Sequence, residues 1–393
     1  MSSVRRSASP WRADEPRGQR AVGLRSTQID RALHDGGSPI ADRDSDRARR
    51  LLRDAGGAAL ESIAGVPGLG HLAEDGRDAE VGLSDLELAT FSPCAGVSLR
   101  YGRLRVPDAR GVALVLHGRT GFIEKYGEVI AELGALGLAV WSFDWRGQGL
   151  STRLLDNPHK GHIDRFETYL EDLAAFVVAV LAPQAAAIPG PRVLVAHSMG
   201  AHLALRHLHD RPDDFSLAAL TSPMVRIRGP VPPRVQQGVA ALGARFGRAD
   251  RYVSGGDWGP RHQRFITNKR THDRARFEAV IACVRADPRL ALGGPTLGWL
   301  AAAHRSIAVL LAPGYPERIT APVLAVAGGD DAIVDTCATV RLMARLPAGR
   351  VVVVPEAKHE ILHERDPQRE PFWRHFVEVL ARDPGWRESA RMR

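Results

Sequence analysis

Residues 191–210 read PRVLVAHSMGAHLALRHLHD, and the fold turns on this stretch. PRVLV is short, apolar and rich in valine, the pattern of a strand buried on both faces. MGAHLALRHLHD carries helical spacing. Between them Ser198 stands where the chain must turn sharply from strand to helix, with Ala196 two residues before it and Gly200 two residues after. Larger side chains at those two positions would collide across so tight a turn. G-x-S-x-G is the usual form of a turn that projects a nucleophilic serine from a crowded backbone; here alanine takes the first small position. The competing reading is an ordinary helix N-cap serine.

The sequence around this turn repeats its alternation of strand and helix. GVALVLHG, LAVWSFDW, PRVLVAHS, SLAALTSP, APVLAVAGGD and RVVVVPEA are short apolar runs, and ELATFSP with VSLRYGRLRV suits a hairpin. Helical patterns lie between them: EKYGEVIAELGALG, FETYLEDLAAFVVAVLAP closed by Pro183, and finally EPFWRHFVEVLARD. Apolar strands alternating with helices imply an α/β protein, a mostly parallel sheet with helices on both faces. Residues 224–313 break the alternation with stretches rich in Gly, Pro and Trp, although RARFEAVIACVRA is helix-like. They read as an inserted cap over the C-terminal edge of the sheet. The core is then 81–223 with 314–393. Residues 1–80, rich in Arg, Gly, Ser, Pro and Asp, read as a largely disordered N-terminal extension, with a short helix around 46–64.

A serine hydroxyl is a weak nucleophile at neutral pH, so it needs a base, and the base an orienting acid. On such a sheet the order along the chain is Ser, acid, His, with the last two in loops after later strands. VLAVAGGDDAIVD places Asp330 and Asp331 just past a strand, and VVVVPEAKHEIL places His359 just past the final one. Asp331 is the chosen acid, with Asp330 as the alternative; Asp335 fits the start of the next helix, and His363 a helix face. The tetrahedral intermediate also needs N–H donors for its oxyanion. The backbone amides of Arg119, after the His117–Gly118 turn, and of Met199 are the expected pair. His117 reads as a residue that shapes the loop.

Bulk properties narrow the function. The 393 residues contain 44% hydrophobic residues, enough for a sizeable core, and no apolar run long enough to cross a bilayer. Arg5 and Arg6 are not followed by the apolar segment of an export signal, and the three cysteines form neither a metal cluster nor a disulfide framework; the expected location is cytoplasmic. The net charge of +8 comes almost wholly from scattered arginines. It reflects compositional bias, or attraction to an anionic membrane surface or substrate, which would place the protein peripherally at the inner membrane face. No basic stripe with interleaved aromatics supports nucleic-acid binding.

From about residue 97 to 382 the chain resembles the α/β-hydrolase fold, and within it the lysophospholipase and monoacylglycerol-lipase group, also classed as serine aminopeptidase-like hydrolases. The resemblance rests on LVLHGRTGFIEKY, FDWRGQGLSTR, GHIDRFETYLEDL, AHSMGAHLAL, TSPM, GGPTLGWL, PVLAVAGGDDAIVD and AKHEILHERDPQREPFW, in that order. FDWRGQGLS and GGPTLGWL are most similar to bacterial lysophospholipases. The family's catalytic serine, aspartate and histidine fall on Ser198, Asp331 and His359. The resemblance implies a serine hydrolase that cuts esters of single-chain lipids through an acyl-enzyme, with neither metal nor organic cofactor. The alternatives are an aminopeptidase or amidase of the same fold, which would need an acidic patch for a substrate amine, and an acyltransferase. Ala196 departs from the usual glycine, and residues 1–80 have no counterpart in the family. Asp144, Arg146 and His162 read as loop scaffold. Trp258 and Trp299 suit either an acyl pocket or a packed cap. Arg226, Arg228, Arg234, Arg261 and Arg264 suit either a phosphate head group or solvated surface.

Overall fold

The computed structural model describes residues 85–391; the readings for residues 1–80, including the helix at 46–64, lie outside the described residues. Eight strands form one sheet in the order β1-β2-β4-β3-β5-β6-β7-β8. β1 (Leu86–Phe91) and β2 (Leu99–Leu104) pair antiparallel as the expected hairpin, with Leu86 opposite Leu104. β2 is antiparallel to β4 (Leu138–Phe143). From β4 onward every pairing is parallel: through β3 (Gly111–Leu116), β5 (Arg192–His197), β6 (Leu217–Thr221), β7 (Val323–Gly328) and β8 (Gly349–Val354). The crossovers run one way from β3 to β4 and the other way from β5 on. The carboxyl ends of β3 and β5 therefore flank the switch point, where open α/β sheets place their ligands.

The period-two alternation of a strand feeds two cores. Leu114, Leu116, Leu194 and Ala196 point into one, Ala113, Val115, Val193 and Val195 into the other. The first lies under α2 (Phe166–Phe176), α3 (Met199–Asp210) and α6 (Leu297–Leu311); the second under α1 (Gly127–Ala135) and α8 (Asp366–Leu380). Both faces of the central strands are thus dry, which is why their sequences read as unbroken apolar runs.

Some boundaries differ from the sequence pattern. The helix expected to close at Pro183 is regular only to Phe176; a wider π turn, Val177–Leu181, follows, and the helix runs out through Ala182–Gln184. A proline cannot continue regular α-helical bonding, and a wide turn beside it absorbs the mismatch. α8 begins before EPFWRHFVEVLARD and carries Pro371 inside it. A last helix, α9 (Pro384–Arg391), brings buried Trp386 onto the second core, with Arg110 stacked over its ring. Between β6 and β7 run α4 (Pro233–Arg245), α5 (Arg274–Ala286) and α6, with loops and short 3-10 turns between them. α4 starts in the Gly- and Pro-rich RGPVPPRVQQG because proline suits the first helical turn, where its missing N–H costs nothing.

Candidate active site

Ser198 ends β5 and begins α3 with φ 51° and ψ −113°, a left-handed conformation that is strained for a residue with a side chain. Its hydroxyl makes no capping bond to α3, so the N-cap alternative does not hold. The backbone fixes the turn: Ser198 N–H donates to Thr221 O at 2.9 Å, and Ser198 O accepts from His202 and Met224 N–H at 3.0 and 3.1 Å. A Cβ at position 200 would lie 2.4 Å from Leu116 O and 2.6 Å from His117 O, so only glycine lets α3 start this close to the end of β3. Ala196 is buried between Leu116 and Leu220 and is accommodated without positive φ.

The loops after β7 and β8 are drawn together by the same device. A Cβ on Gly328 would meet Lys358 O at 2.3 Å, and one on Gly329 would meet Pro355 O at 2.2 Å. The result is a hydrogen-bonded chain of three side chains. Asp331 Oδ2 lies 2.7 Å from His359 Nδ1, and His359 Nε2 lies 2.9 Å from Ser198 Oγ. The tautomer that fits has Nδ1–H donating to the carboxylate and Nε2 accepting from the hydroxyl. Burial would raise the Asp331 pKa, but the bond to His359 and amide bonds from Ile333 and Val334 at 2.7 and 2.9 Å hold it below the ordinary value. The carboxylate is therefore charged and fixed. Asp330 is exposed and faces away, and Asp335 caps α7 (Thr336–Met343) by accepting from Ala338 N–H.

Leu116 pairs with Ala196 across β3 and β5, which sets the loop His117–Gly121 beside Ser198; a Cβ on Gly118 would sit 3.1 Å from Ser198 Cβ. Among the described residues the amides of Arg119 and Met199 have no acceptor, and both adjoin the serine. His117 is fully buried, its Nδ1 2.8 Å from Gly118 O, and burial lowers its pKa to about 3. It stays neutral and holds the loop. Asp144 accepts from the Ile123 and Leu150 amides and pairs with Arg100. Arg146 pairs with Asp172, and His162 bonds Thr296. All three are scaffold. His363 lies in a short 3-10 turn rather than on a longer helix face, buried with Nε2 2.9 Å from Lys125 O. His197, which sequence reasoning passed over, packs its ring edge-on against His359 with centroids 4.7 Å apart. Burial and the neighbouring His359 keep its pKa well below the ordinary value, so it adds no charge beside the candidate base. Its place before the serine was the available signal.

A cavity of about 360 Å³ opens onto Ser198 and His359. One wall is apolar: Phe122, Trp258, Phe277, Ile281 and Val284, the last three from α5. Trp299, by contrast, is in the core against Phe166. Arg226 and Arg228 turn instead to Asp335 and to Val334 O, and Arg234 lies exposed on α4. Arg261 and Arg264 do line the cavity, joined by Arg119, Lys269 and Arg270, which the sequence did not single out as side chains. The acid in the wall, Glu360, is held by Lys125 at 2.7 Å, and that neighbour outweighs burial to keep its pKa well below the ordinary value.

A family model described as "Serine aminopeptidase, S33" matches residues 107–366. The chain belongs to this hydrolase family. It is 34% identical over 295 residues to lysophospholipase L2 of Escherichia coli strain K12, covering 72% of this chain and 83% of that protein. It is 26% identical over 282 residues to monoacylglycerol lipase of Mycolicibacterium smegmatis, covering 70% and 90%. Among solved structures, monoglyceride lipase of Saccharomyces cerevisiae superposes with a TM-score of 0.61 at 21% identity, over 75% of this chain and 94% of that one. This likeness establishes the α/β-hydrolase fold. Among the described residues no helix is long and apolar enough to cross a membrane.

Proposed function

We propose that the protein is a serine hydrolase that cleaves carboxylic esters of single-chain lipids, lysophospholipid or monoacylglycerol, through an acyl-enzyme on Ser198. The observation that carries this is the Ser198–His359–Asp331 hydrogen-bonded chain at the floor of a cavity with one apolar wall. Ser198 Oγ attacks the ester carbonyl while His359 Nε2 takes its proton; Asp331 orients the ring and stabilises the imidazolium. The amides of Arg119 and Met199 receive the oxyanion. His359 then protonates the leaving alcohol, and the same ring activates a water that releases the fatty acid. The lysophospholipase and monoacylglycerol lipase names of the relatives support the substrate class. The aminopeptidase reading lacks a free carboxylate in the cavity to hold a substrate ammonium, since Glu360 is committed to Lys125.

In this reading the part of 224–313 that precedes α6 acts as a cap, α6 itself packing on the sheet core, with the α5 wall receiving the acyl chain. Each buried methylene contributes about 0.8 kcal/mol, so kcat/KM rises with acyl length until the wall is filled. A series of p-nitrophenyl esters of increasing chain length tests this; a flat profile contradicts it. The proposal extends to a cytoplasmic protein resting on the inner membrane face. Val235, Val239, Leu242 and Phe246 form one exposed stripe along and just past α4, and that helix carries Arg234 and Arg245 but no acid. Such a face suits an anionic lipid surface. Cosedimentation with phosphatidylglycerol vesicles, reduced in Val239→Asp, is the expected result.

A further inference from the structure

Three motifs separated by up to 174 residues converge on one side chain. The guanidinium of Arg119, in HGRTG, donates from Nη1 to Gly293 O of GGPTLGWL at 2.8 Å. A Cβ at Gly161, which opens GHIDRF, would lie 3.1 Å from the same nitrogen. Gly293 and Gly294 leave no room for a side chain either: their Cβ atoms would lie 2.3 Å from Gly256 O and 1.9 Å from Ser254 O. The backbone has been cleared to bring a guanidinium to the cavity wall beside Ser198.

That guanidinium has no counter-ion. Among the described residues no carboxylate lies within salt-bridge distance of Arg119, Arg261, Arg264 or Lys269, all of which line the cavity. Arg270, also in the wall, reaches only Glu360 at 3.9 Å, and Glu360 already belongs to Lys125. Burial, with the like charge of Arg270 added, pushes Arg119 down to about 10, so it is still charged at neutral pH. Its neighbours are the Trp299 ring, 5.9 Å from Cζ, and the Gly293 carbonyl, neither of which carries a formal charge; a cation held without a counter-ion in a half-enclosed site is costly unless an anion arrives to complete it. The fork of an arginine fits the oxygens of a phosphoryl group, and the one hydrogen bond given for this guanidinium uses only Nη1.

We propose that Arg119 and Arg270 form a subsite for the phosphoryl group of the leaving alcohol, so that the enzyme selects lysophospholipid over monoacylglycerol. The inference rests on the ester-hydrolase reading of Ser198 and names the substrate class of that site. Arg119 thereby serves twice: its amide faces the oxyanion and its side chain faces the head group on the far side of the ester.

The test compares kcat/KM for a 1-acyl lysophosphatidylglycerol and the monoacylglycerol of the same chain, in the full-length protein and in Arg119→Gln, Arg119→Lys and Arg270→Gln. The expected result is a preference of about tenfold or more for the phosphate-bearing lipid, the scale of a charge-assisted hydrogen bond. Arg119→Gln and Arg270→Gln should each reduce that preference mainly through KM, with partial return in Arg119→Lys. Glycerol 3-phosphate should inhibit hydrolysis of p-nitrophenyl butyrate by the parent, and less so in the two Gln variants, while glycerol does not. The proposal is overturned if the parent shows no preference, if both Gln variants keep it, or if inorganic phosphate inhibits with no preference among lipids. Should Arg119→Gln lose its cooperative thermal transition, Arg270→Gln decides. If neither lipid is cleaved while p-nitrophenyl butyrate is, the lipid-ester reading fails separately, and the glycerol 3-phosphate arm still decides whether the anion subsite exists.

Discussion

A methyl group added at Gly200 would lie 2.4 Å from a backbone carbonyl, whereas one added at Gly238, midway along α4, would meet nothing within 4 Å. The contrast holds more widely. The strand ends that present Ser198, Asp331 and His359 are packed backbone against backbone at Gly200, Gly328 and Gly329, in contacts that admit no side chain, while Gly118 packs against the side chains of His197 and Ser198. Much of the segment between β6 and β7 is joined instead through side chains and is open at Gly238, Gly247 and Gly259. Where that segment touches the site, at Gly293 and Gly294, the tight regime returns. Backbone approach is therefore tight around the candidate triad and at the wall of its cavity, and open along α4.

The largest effects should come from the tightly packed region. Ser198→Ala and His359→Ala should each remove on the order of 10^4-fold or more of turnover, leaving what binding and the oxyanion donors supply. Asp331→Asn should be comparably severe, while Asp330→Asn, on an exposed side chain, should stay within about twofold of the parent. Steady-state kinetics on p-nitrophenyl butyrate check all four, and a severe Asp330→Asn would reverse the choice of acid.

Next come the glycines. Gly200→Ala should cost roughly 1–3 kcal/mol through overpacking, along with most of the activity. Gly238→Ala should add about 0.5–1 kcal/mol, since the position is helical and open. Urea unfolding of the two variants breaks or sharpens the contrast directly; equal costs would erase it.

A pH series probes the same dry core. Burial lowers His117 and His202 to about 3 and His363 to about 4, from an ordinary value of 6.5. Each is neutral when folded and takes up a proton on unfolding once the pH falls below 6.5. The unfolded state then binds more protons, so stability declines as pH drops from about 6.5 toward 4. Glu360 and Asp331, with depressed values, contribute stability above the ordinary carboxylate range that is lost as the pH falls through their folded pKa. Asp144 and Glu132, raised by burial to about 6 and about 8, work the other way; with the histidines more numerous, the urea midpoint should fall in mild acid, and a midpoint that rises down to pH 4 contradicts the buried neutral histidines.

The smallest effects belong to the surface of the segment between β6 and β7. Arg226→Ala and Arg234→Ala should change stability by less than about 0.5 kcal/mol and turnover less than about twofold. A large effect on the lysophospholipid rate would return these arginines to the head-group site.

The tightly packed region was also the more legible one. Strand runs such as GVALVL and RVLVAH are local patterns, and the small residues around Ser198 report a local steric demand, so the alternation of strands and helices and the candidate positions of Ser198, Asp331 and His359 after strand ends could be read from short windows; the strand order, set by pairings between distant segments, could not. Arg119 could be read only for its amide, because what positions its guanidinium is Gly293, distant in the chain. The start of α4 at Pro233, the π turn before Pro183 and helix α9 were hidden for the same reason. Propensity disfavours or is silent about them, and tertiary packing decides. Five arginines between residues 226 and 264 looked alike in sequence; the fold turned two toward the Asp331–Asp335 loop and two toward the cavity.

The central claim is that Ser198 carries the acyl group. Intact mass and peptide mapping after reaction with a fluorophosphonate test it most directly. The account predicts a single adduct on the peptide containing Ser198, absent from Ser198→Ala and slowed in His359→Ala. An adduct on another residue, or equal labelling of Ser198→Ala, would contradict it.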